Sequence, residues 1–174
     1  MKAAGFLIFF FLSAVAGAVT VSEYKLGSGD QIRIQVFGEE DLGMDVRLSD
    51  AGTISYPFLG EIQVKGLTVG QLEASVINGL KPDYLIDPKV SVSILEYRQF
   101  YIHGEVTKPG GFPYLPGLTL RKAIALAGGF TERASKTKIS VIHDGDETLK
   151  KSSRIALGDE VAPGDVITVE QSFF

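Results

Sequence analysis

Residues 29–36 read GDQIRIQV, a turn signal followed by strictly alternating polar and apolar residues. In an extended chain, Ile32, Ile34 and Val36 share one face, and the polar side chains share the other. Because successive side chains of a β-strand point to opposite faces, this alternation predicts a half-buried strand. Residues 164–169 read GDVITV and resemble the same pattern near the end of the chain. We therefore expect a turn followed by a strand at both places.

A similar alternation runs from Lys89 to Ile94, and Asp87-Pro88 just before it favours an extended entry. Asp144-Gly145 predicts a hairpin turn between Ile139-Val141 and Thr148-Leu149, because glycine accepts the positive φ that such turns require. Clusters of Gly, Pro and Asp separate the β-favouring segments. The predicted strands are Gln31–Val36, Thr53–Tyr56, Glu61–Val64, Lys89–Ile94, Phe100–His103, Lys138–Ile142 and Val166–Val169.

Two short helices are predicted, each after a Gly-Leu-Thr triplet that ends at Thr68 or Thr119. Threonine caps a helix by accepting hydrogen bonds from its first free amides, and Gln71 is placed to complete a capping box with Thr68. Gly128-Gly129 ends the second helix. Each helix has one apolar face, formed by Val69, Leu72, Val76 and Leu80 and by Leu120, Ala123, Ile124 and Ala127. One-faced helices must pack on a sheet, so the predicted class is α+β with mostly antiparallel or mixed strands.

The composition narrows the possible functions. The chain has 174 residues, of which 45% are hydrophobic and 22% are charged, a balance typical of globular proteins. Its formal net charge of −4 (17 basic minus 21 acidic residues) gives no electrostatic basis for binding nucleic acid. The absence of cysteine excludes disulfides, thiolate nucleophiles and cysteine-based zinc sites. With only two histidines, few metal sites with imidazole ligands are possible.

Residues 1–18 have the form of a secretory signal peptide: one positive charge, an apolar stretch over Ala3–Leu12, and small residues at Ala16-Gly17-Ala18. We expect cleavage after Ala18, with Ala16 as the alternative. A membrane anchor is the competing interpretation, but the uncharged run to Val21 barely reaches the roughly 20 apolar residues that a span needs. Without a cysteine the exported chain is not expected to be lipidated, and it should be soluble.

No catalytic, cofactor or metal site is predicted. The consecutive carboxylates Glu39-Glu40-Asp41 cannot converge on one substrate atom, so we interpret them as a solvated loop. His103 and His143 lie at the ends of separate predicted strands, and neither has neighbours at the spacing typical of metal ligands. We interpret both as structural or surface residues. Asp144-Gly145-Asp146-Glu147 lacks the spacing of a calcium loop, and Gly27-Ser28-Gly29 precedes a strand rather than the helix that a phosphate site needs.

A basic cluster surrounds the second predicted helix and its exit, with Glu132 as the opposing charge. Such a cluster could bind phosphate groups, an anionic polymer or an acidic neighbouring subunit, whereas a solvated helix face is the simpler interpretation. The residues in question are Arg121, Lys122, Arg133, Lys136 and Lys138.

Several motifs in order resemble a known family. Residues 24–30 (YKLGSGD), 50–60 with Pro57, and 66–68 (GLT) look like the N-terminal domain of the polysaccharide export proteins of Gram-negative bacteria. Residues 104–110 (GEVTKPG) and 127–129 (AGG), with a later APGD motif, resemble the soluble-ligand-binding β-grasp (SLBB) domain that follows it. The motif residues, mostly turn and cap positions, are Gly27, Gly29, Asp30, Gly52, Pro57, Gly60, Gly66, Thr68, Gly104, Lys108, Pro109, Gly110, Ala127, Gly128, Gly129, Gly164 and Asp165.

The resemblance implies a small mixed-sheet export domain over residues 19–97 and a β-grasp domain over 98–174. It further implies transport without catalysis: family members form rings in the periplasm and outer membrane and guide capsular polysaccharide or exopolysaccharide outward. Their implied partner is an inner-membrane polysaccharide co-polymerase, often a tyrosine autokinase. From the motifs present we expect no lipidated cysteine, no further β-grasp copy and no C-terminal amphipathic helix in this protein. We therefore expect a periplasmic homo-oligomer associated with a separate outer-membrane exit protein, for example a β-barrel.

Two other functions remain open at this stage. A periplasmic module that binds and senses a glycan, without forming a conduit, would use the same β-grasp domain. A secreted polysaccharide-modifying enzyme would need two facing carboxylates or a nucleophile with its base, and the sequence shows neither arrangement. Neither the polysaccharide nor the ring size follows from the sequence.

Overall fold

A computed structural model describes residues 23–145 and 152–172. The predicted leader, Thr148-Leu149 and the C-terminal Phe173-Phe174 lie outside the described residues. The first half contains β1 (Gln31–Val36), a 3-10 turn (Glu40–Leu42), β2 (Met44–Arg47), β3 (Thr53–Tyr56), β4 (Gly60–Gln63), α1 (Val69–Leu80) and β5 (Val90–Glu96). The second half contains β6 (Phe100–Gly104), β7 (Gly110–Phe112), α2 (Leu120–Leu126), β8 (Ala134–Ile142), β9 (Ser153–Arg154) and β10 (Val166–Gln171).

The first half is built on a three-stranded antiparallel sheet in the order β2-β1-β5, accompanied by the β3-β4 hairpin. The predicted apolar face of β1 is buried, and α1 contributes Leu72, Val76 and Leu80 to the same hydrophobic core. At the start of α1, the Thr68 hydroxyl accepts from the Gln71 amide, and the Gln71 side chain accepts from the Thr68 amide. The predicted capping box is therefore confirmed.

The second half is built on a five-stranded sheet in the order β7-β6-β10-β8-β9. Strand β10 is parallel to β6 and antiparallel to β8, so the sheet is mixed. Its hydrophobic core is separate from that of the first half and includes Phe100, Ile102, Leu120 and Ile167. Two small helices on mixed and antiparallel sheets confirm the predicted α+β class.

The cap predicted for α2 was wrong in one respect. Thr119 occupies the cap position, but its hydroxyl makes no capping hydrogen bond. The amides of Leu120 and Arg121 donate instead to the backbone carbonyls of Asp159, at 2.9 Å, and Leu157, at 3.0 Å. A neighbouring chain segment thus supplies the acceptors that the first turn of a helix requires.

The turn at Asp144-Gly145 follows β8 as predicted, and β8 pairs on the edge away from β10 with β9, at Ser153–Arg154. Three short strands, β2, β7 and β9, were not predicted, and β8 begins at Ala134 rather than Lys138. Glu39, Glu40 and Asp41 are exposed, as expected for a solvated segment.

Candidate functional site

Two buried aspartates occupy matching turns, one in each half of the protein. Asp30 and Asp165 have no exposed surface. The amide three residues earlier donates to Oδ2 of each carboxylate at 2.8 Å, from Gly27 in the first turn and from Ala162 in the second. The resemblance between residues 29–34 and 164–169 therefore reflects one turn geometry used twice, with a carboxylate that accepts backbone amides.

The second oxygen of each aspartate has a different partner. Oδ1 of Asp30 accepts from the backbone amide of Arg98 at 2.7 Å. Oδ1 of Asp165 lies 2.8 Å from Nδ1 of His143. His143 is exposed and pairs with this buried carboxylate, which agrees with its interpretation as a structural or surface residue.

The Arg98 side chain joins the two halves. Its Nη1 donates to the Tyr24 hydroxyl at 2.6 Å and to Oδ2 of Asp30 at 3.1 Å. Its Nε lies 2.7 Å from Oδ2 of Asp144 in the second half, an ion-pair contact without hydrogen-bond alignment. The arginine side chain is 17% exposed. One partly buried cation therefore sits between a carboxylate from each half, where screening by water is reduced.

Tyr24 completes this junction. Its hydroxyl donates to Oδ2 of Asp30 at 2.7 Å, and its ring packs edge-on against Tyr97 with centroids 5.0 Å apart. Burial, followed by the hydrogen bond to Asp30, raises the pKa of Tyr24 above its ordinary value. The tyrosine therefore remains a neutral donor to the aspartate at physiological pH.

An open cleft of about 920 Å³ adjoins the junction and is lined by both halves. The first half contributes a polar wall that includes Arg47, Asp50, Lys65 and Glu96. The second half contributes a wall made mainly of rings and apolar side chains (Tyr101, Pro113, Tyr114, Leu115 and Pro116), with Gln99 and Asp144 as its polar members. Tyr97 and Arg98 lie between the two walls in sequence and line the cleft as well.

Comparisons with known proteins account for both halves. The family model described as polysaccharide biosynthesis/export protein matches residues 18–95, and the SLBB domain model matches residues 99–149. This chain belongs to the polysaccharide export protein family. The matches end and begin on either side of Tyr97 and Arg98, the residues that connect the two halves.

Curated relatives carry names from polysaccharide export. The chain is 31% identical over 128 residues to the exopolysaccharide production protein ExoF of Rhizobium meliloti (strain 1021), covering 66% of this chain and 30% of that protein. It is 27% identical to the EPS I polysaccharide export outer membrane protein EpsA of Ralstonia nicotianae, covering 85% and 47%. It is 30% identical to the polysialic acid transport protein KpsD of Escherichia coli, covering 68% and 22%. The chain thus spans less than half the length of each of these relatives.

The family motif residues serve the fold in distinct ways. Gly29 and Gly164 have φ values of 92° and 86° in the two aspartate turns, a conformation that glycine adopts readily. Gly104 ends β6 with φ 88°, and a Cβ atom there would overlap the Val169 carbonyl of β10. Other motif residues form the turn before β3 (Gly52), the β3-β4 connection (Pro57, Gly60), the approach to α1 (Gly66, Thr68), the β6-β7 connection (Lys108, Pro109, Gly110) and the end of α2 (Ala127, Gly128, Gly129).

The five predicted basic residues are all exposed and lie in the second half. Arg121 and Lys122 lie in the first turn of α2, and Nζ of Lys122 donates to the Gly117 carbonyl at 3.1 Å. Lys136 and Lys138 lie on β8, which begins directly after Arg133. The side-chain oxygen of Gln171, with the amide oriented to suit its partners, accepts from Nε and Nη2 of Arg133 at 2.8 and 2.7 Å. Their role in binding a partner or polymer stays a prediction.

The sequence did not indicate that the Arg98 side chain joins the two halves. The only signal was its place in Tyr97-Arg98-Gln99, at the predicted boundary between two Gly-Asp turns. Within residues 23–145 and 152–172, no group of three histidine or acidic residues lies in an arrangement suited to a metal ion. No helix in that same part of the chain is long and apolar enough to cross a membrane.

Proposed function

We propose that this protein is a periplasmic component of a machine that exports capsular polysaccharide or exopolysaccharide across the outer membrane. It acts as an oligomeric conduit or adaptor and catalyses no reaction. The observation that carries the proposal is the succession of an export domain and an SLBB domain, matched over residues 18–95 and 99–149. The names of relatives that align across much of this chain support it.

The use of the motif residues is consistent with a scaffold or conduit. They form turns, helix ends and the junction around Arg98, and an assembly that guides a polymer depends on the relative placement of its domains. We propose residues 19–97 and 98–174 as the two domains, with residues 1–18 removed on export. A closed ring of identical subunits would place the same cleft and the same basic residues at regular intervals.

The proposed partners follow from this role. An inner-membrane polysaccharide co-polymerase or tyrosine autokinase would couple to this protein, and a separate outer-membrane exit protein would complete the path. Association with the outer membrane would then occur through partners. The exposed basic residues Arg121, Lys122, Arg133, Lys136 and Lys138 are candidate contacts with an acidic partner or an anionic polymer.

An in-frame deletion in the producing organism tests the export role. Surface polysaccharide and cell-retained polysaccharide are quantified separately, and the wild-type gene is restored as the control. We expect loss of the surface polymer and its recovery on complementation, whether or not polymer accumulates inside the cell. Unchanged surface polymer would remove the export proposal.

The open cleft favours a second candidate, a periplasmic glycan-binding or sensing module without a conduit role. This alternative predicts a monomer with a saturable sugar site, whereas the conduit predicts a closed oligomer. Sedimentation of the purified protein distinguishes the two states. The sensing role would be supported if the purified protein is a monomer that binds glycan and if its deletion leaves the surface polymer unchanged.

A further inference from the structure

The cleft between the two halves presents chemically different walls to its contents. On the wall of the second half, Tyr101 is 47% exposed and Leu115 is 64% exposed. Strand pairing places Gly111 opposite Tyr101, and the tyrosine ring lies within 2.9 Å of where a Cβ of that glycine would be. The missing side chain therefore lets the ring lie close against the sheet.

Two further rings that line the cleft have aromatic partners. Tyr97 packs edge-on against Tyr114, with centroids 5.3 Å apart, and against Tyr24 on its other side. Such edge-to-face contacts fix the ring planes. Two rings that line the cleft, Tyr97 and Tyr114, are thus held against each other beside Tyr101.

The opposite wall offers oriented polar groups. Arg47 donates to the Gly29 carbonyl at 2.7 Å, to the Gln31 side chain at 2.9 Å and to Glu96 at 2.7 Å. Its side chain is 54% exposed, so the guanidinium is held in position and still reachable from the cleft. Asp50 and Lys65 add an exposed carboxylate and an exposed ammonium to this wall.

We propose that this cleft binds a segment of a carbohydrate polymer, an inference that rests on the proposed export function and assigns a site to its substrate. Sugar rings carry apolar C–H faces and a rim of hydroxyl groups, so they match a cleft with one aromatic wall and one polar wall. Hydroxyls donate to carboxylates and accept from Arg and Lys. The volume lies toward the upper end of the range of about 300–1,000 Å³ for small-molecule sites, which leaves room for several sugar units.

Binding is measured with the purified full chain. The probe consists of oligosaccharides prepared by partial hydrolysis of the surface polymer of the producing strain. Amide chemical shifts recorded during titration locate the contact, and calorimetry gives the affinity. We expect shifts concentrated at Tyr97, Tyr101 and Tyr114. If the shifts are confined to other surfaces, or if no binding occurs at millimolar concentrations of the oligosaccharides, the cleft is not the binding site.

Two matched variants test the aromatic contact. Tyr101→Ala removes a ring from the cleft, and we expect affinity to fall about tenfold, the scale of one good aromatic contact. Tyr84→Ala removes a ring of similar exposure, 49%, that lies outside the lining of the cleft, and affinity should not change. Equal effects of the two substitutions would contradict the proposal. The wild-type shift map gives an answer even if Tyr101→Ala fails to fold.

The results separate this site from the export function. If deletion abolishes surface polymer but the oligosaccharides bind elsewhere, the cleft assignment fails and the export role stands. If the oligosaccharides bind in the cleft and deletion leaves surface polymer unchanged, the carbohydrate site stands and the export role fails.

Discussion

Nη1 of Arg98 lies 3.1 Å from Oδ2 of Asp30, a carboxylate with no exposed surface. An isolated buried charge is costly, and a buried pair is tolerated when additional hydrogen bonds satisfy both groups. Asp30 also accepts from the amides of Gly27 and Arg98 and from the Tyr24 hydroxyl. The aspartate therefore holds the first turn of one half and the connection to the other with a single side chain.

Asp30→Ala should lower the free energy of unfolding by about 3 kcal/mol, because it removes the buried carboxylate that pairs with the Arg98 guanidinium and accepts from the Tyr24 hydroxyl and two backbone amides. Asp45→Ala is the control. Asp45 pairs with Arg33 at 2.6 Å, but the two side chains are 42% and 45% exposed, so its loss should matter far less. Urea unfolding of both variants measures the difference. Similar midpoints would show that the junction contributes no more than a surface pair.

Gly104→Ala should destabilise the second half by about 2 kcal/mol or more. The residue has φ 88°, and the added methyl group would meet the Val169 carbonyl of the paired strand β10. Gly158→Ala serves as the control, because its φ is not positive and its Cβ would meet no atom within 4 Å. Thermal unfolding should show a lower midpoint for the first variant alone. A midpoint for Gly104→Ala equal to that of the wild type would refute the close approach.

Thr68→Ala and Thr119→Ala should differ, although both residues follow Gly-Leu and precede a helix. Removal of the Thr68 hydroxyl breaks the capping box and should cost about 1 kcal/mol. The Thr119 hydroxyl makes no capping hydrogen bond, so its removal should cost clearly less. Chemical denaturation of the two variants provides the comparison. A larger loss for Thr119→Ala would mean that the hydroxyl has a role that the backbone contacts with Leu157 and Asp159 do not explain.

Stability should fall as the pH rises above about 10, the ordinary pKa of tyrosine. Burial and the hydrogen bond to Asp30 raise the pKa of Tyr24 in the folded state, so the folded chain keeps a proton that the unfolded chain releases. The stabilisation is complete below the unfolded pKa and is lost at higher pH. Tyr24→Phe should make the urea midpoint less dependent on alkaline pH. Burial also raises the pKa of Tyr56 and Tyr114, which should leave a residual slope.

Reversal of the charges at Arg121 and Lys122 to Glu should weaken assembly or polymer export, if the basic residues contact an acidic partner or polymer. The control reverses the exposed Lys25 and Lys89 of the first half, which gives the same change in net charge. Sedimentation and surface polysaccharide are measured for both double variants. Equal behaviour of the two would leave Arg121 and Lys122 as a solvated helix face.

Local patterns predicted the regular elements well. Strands β1 and β3 have the predicted bounds, because alternation of buried and exposed residues is visible within a few positions. The helix after Thr68 extends to Leu80, as its apolar spacing indicated. Strand β7 reads Gly-Gly-Phe and has no side-chain alternation to detect, and its pairing with β6 defines it.

The junction depends on contacts that no local pattern contains. Arg98 is 68 residues from Asp30 in sequence, and the pairing forms only because both Gly-Asp turns meet the connecting segment. The cleft likewise requires Arg47 and Tyr101, which come from sheets with separate cores. The sequence indicated the turns, whereas their meeting point follows from tertiary structure.

The position of β10 imposes an order on folding. The first half has all its described strands once the chain up to Glu96 is available for folding. The second half needs β10 between β6 and β8, so its sheet stays incomplete until residues 166–171 are available. Non-local and parallel pairings of this kind form slowly. As the chain emerges N-terminus first, Asp30 can hold Arg98 while Asp144 is still unplaced, and the finished first half becomes the template on which the second half docks.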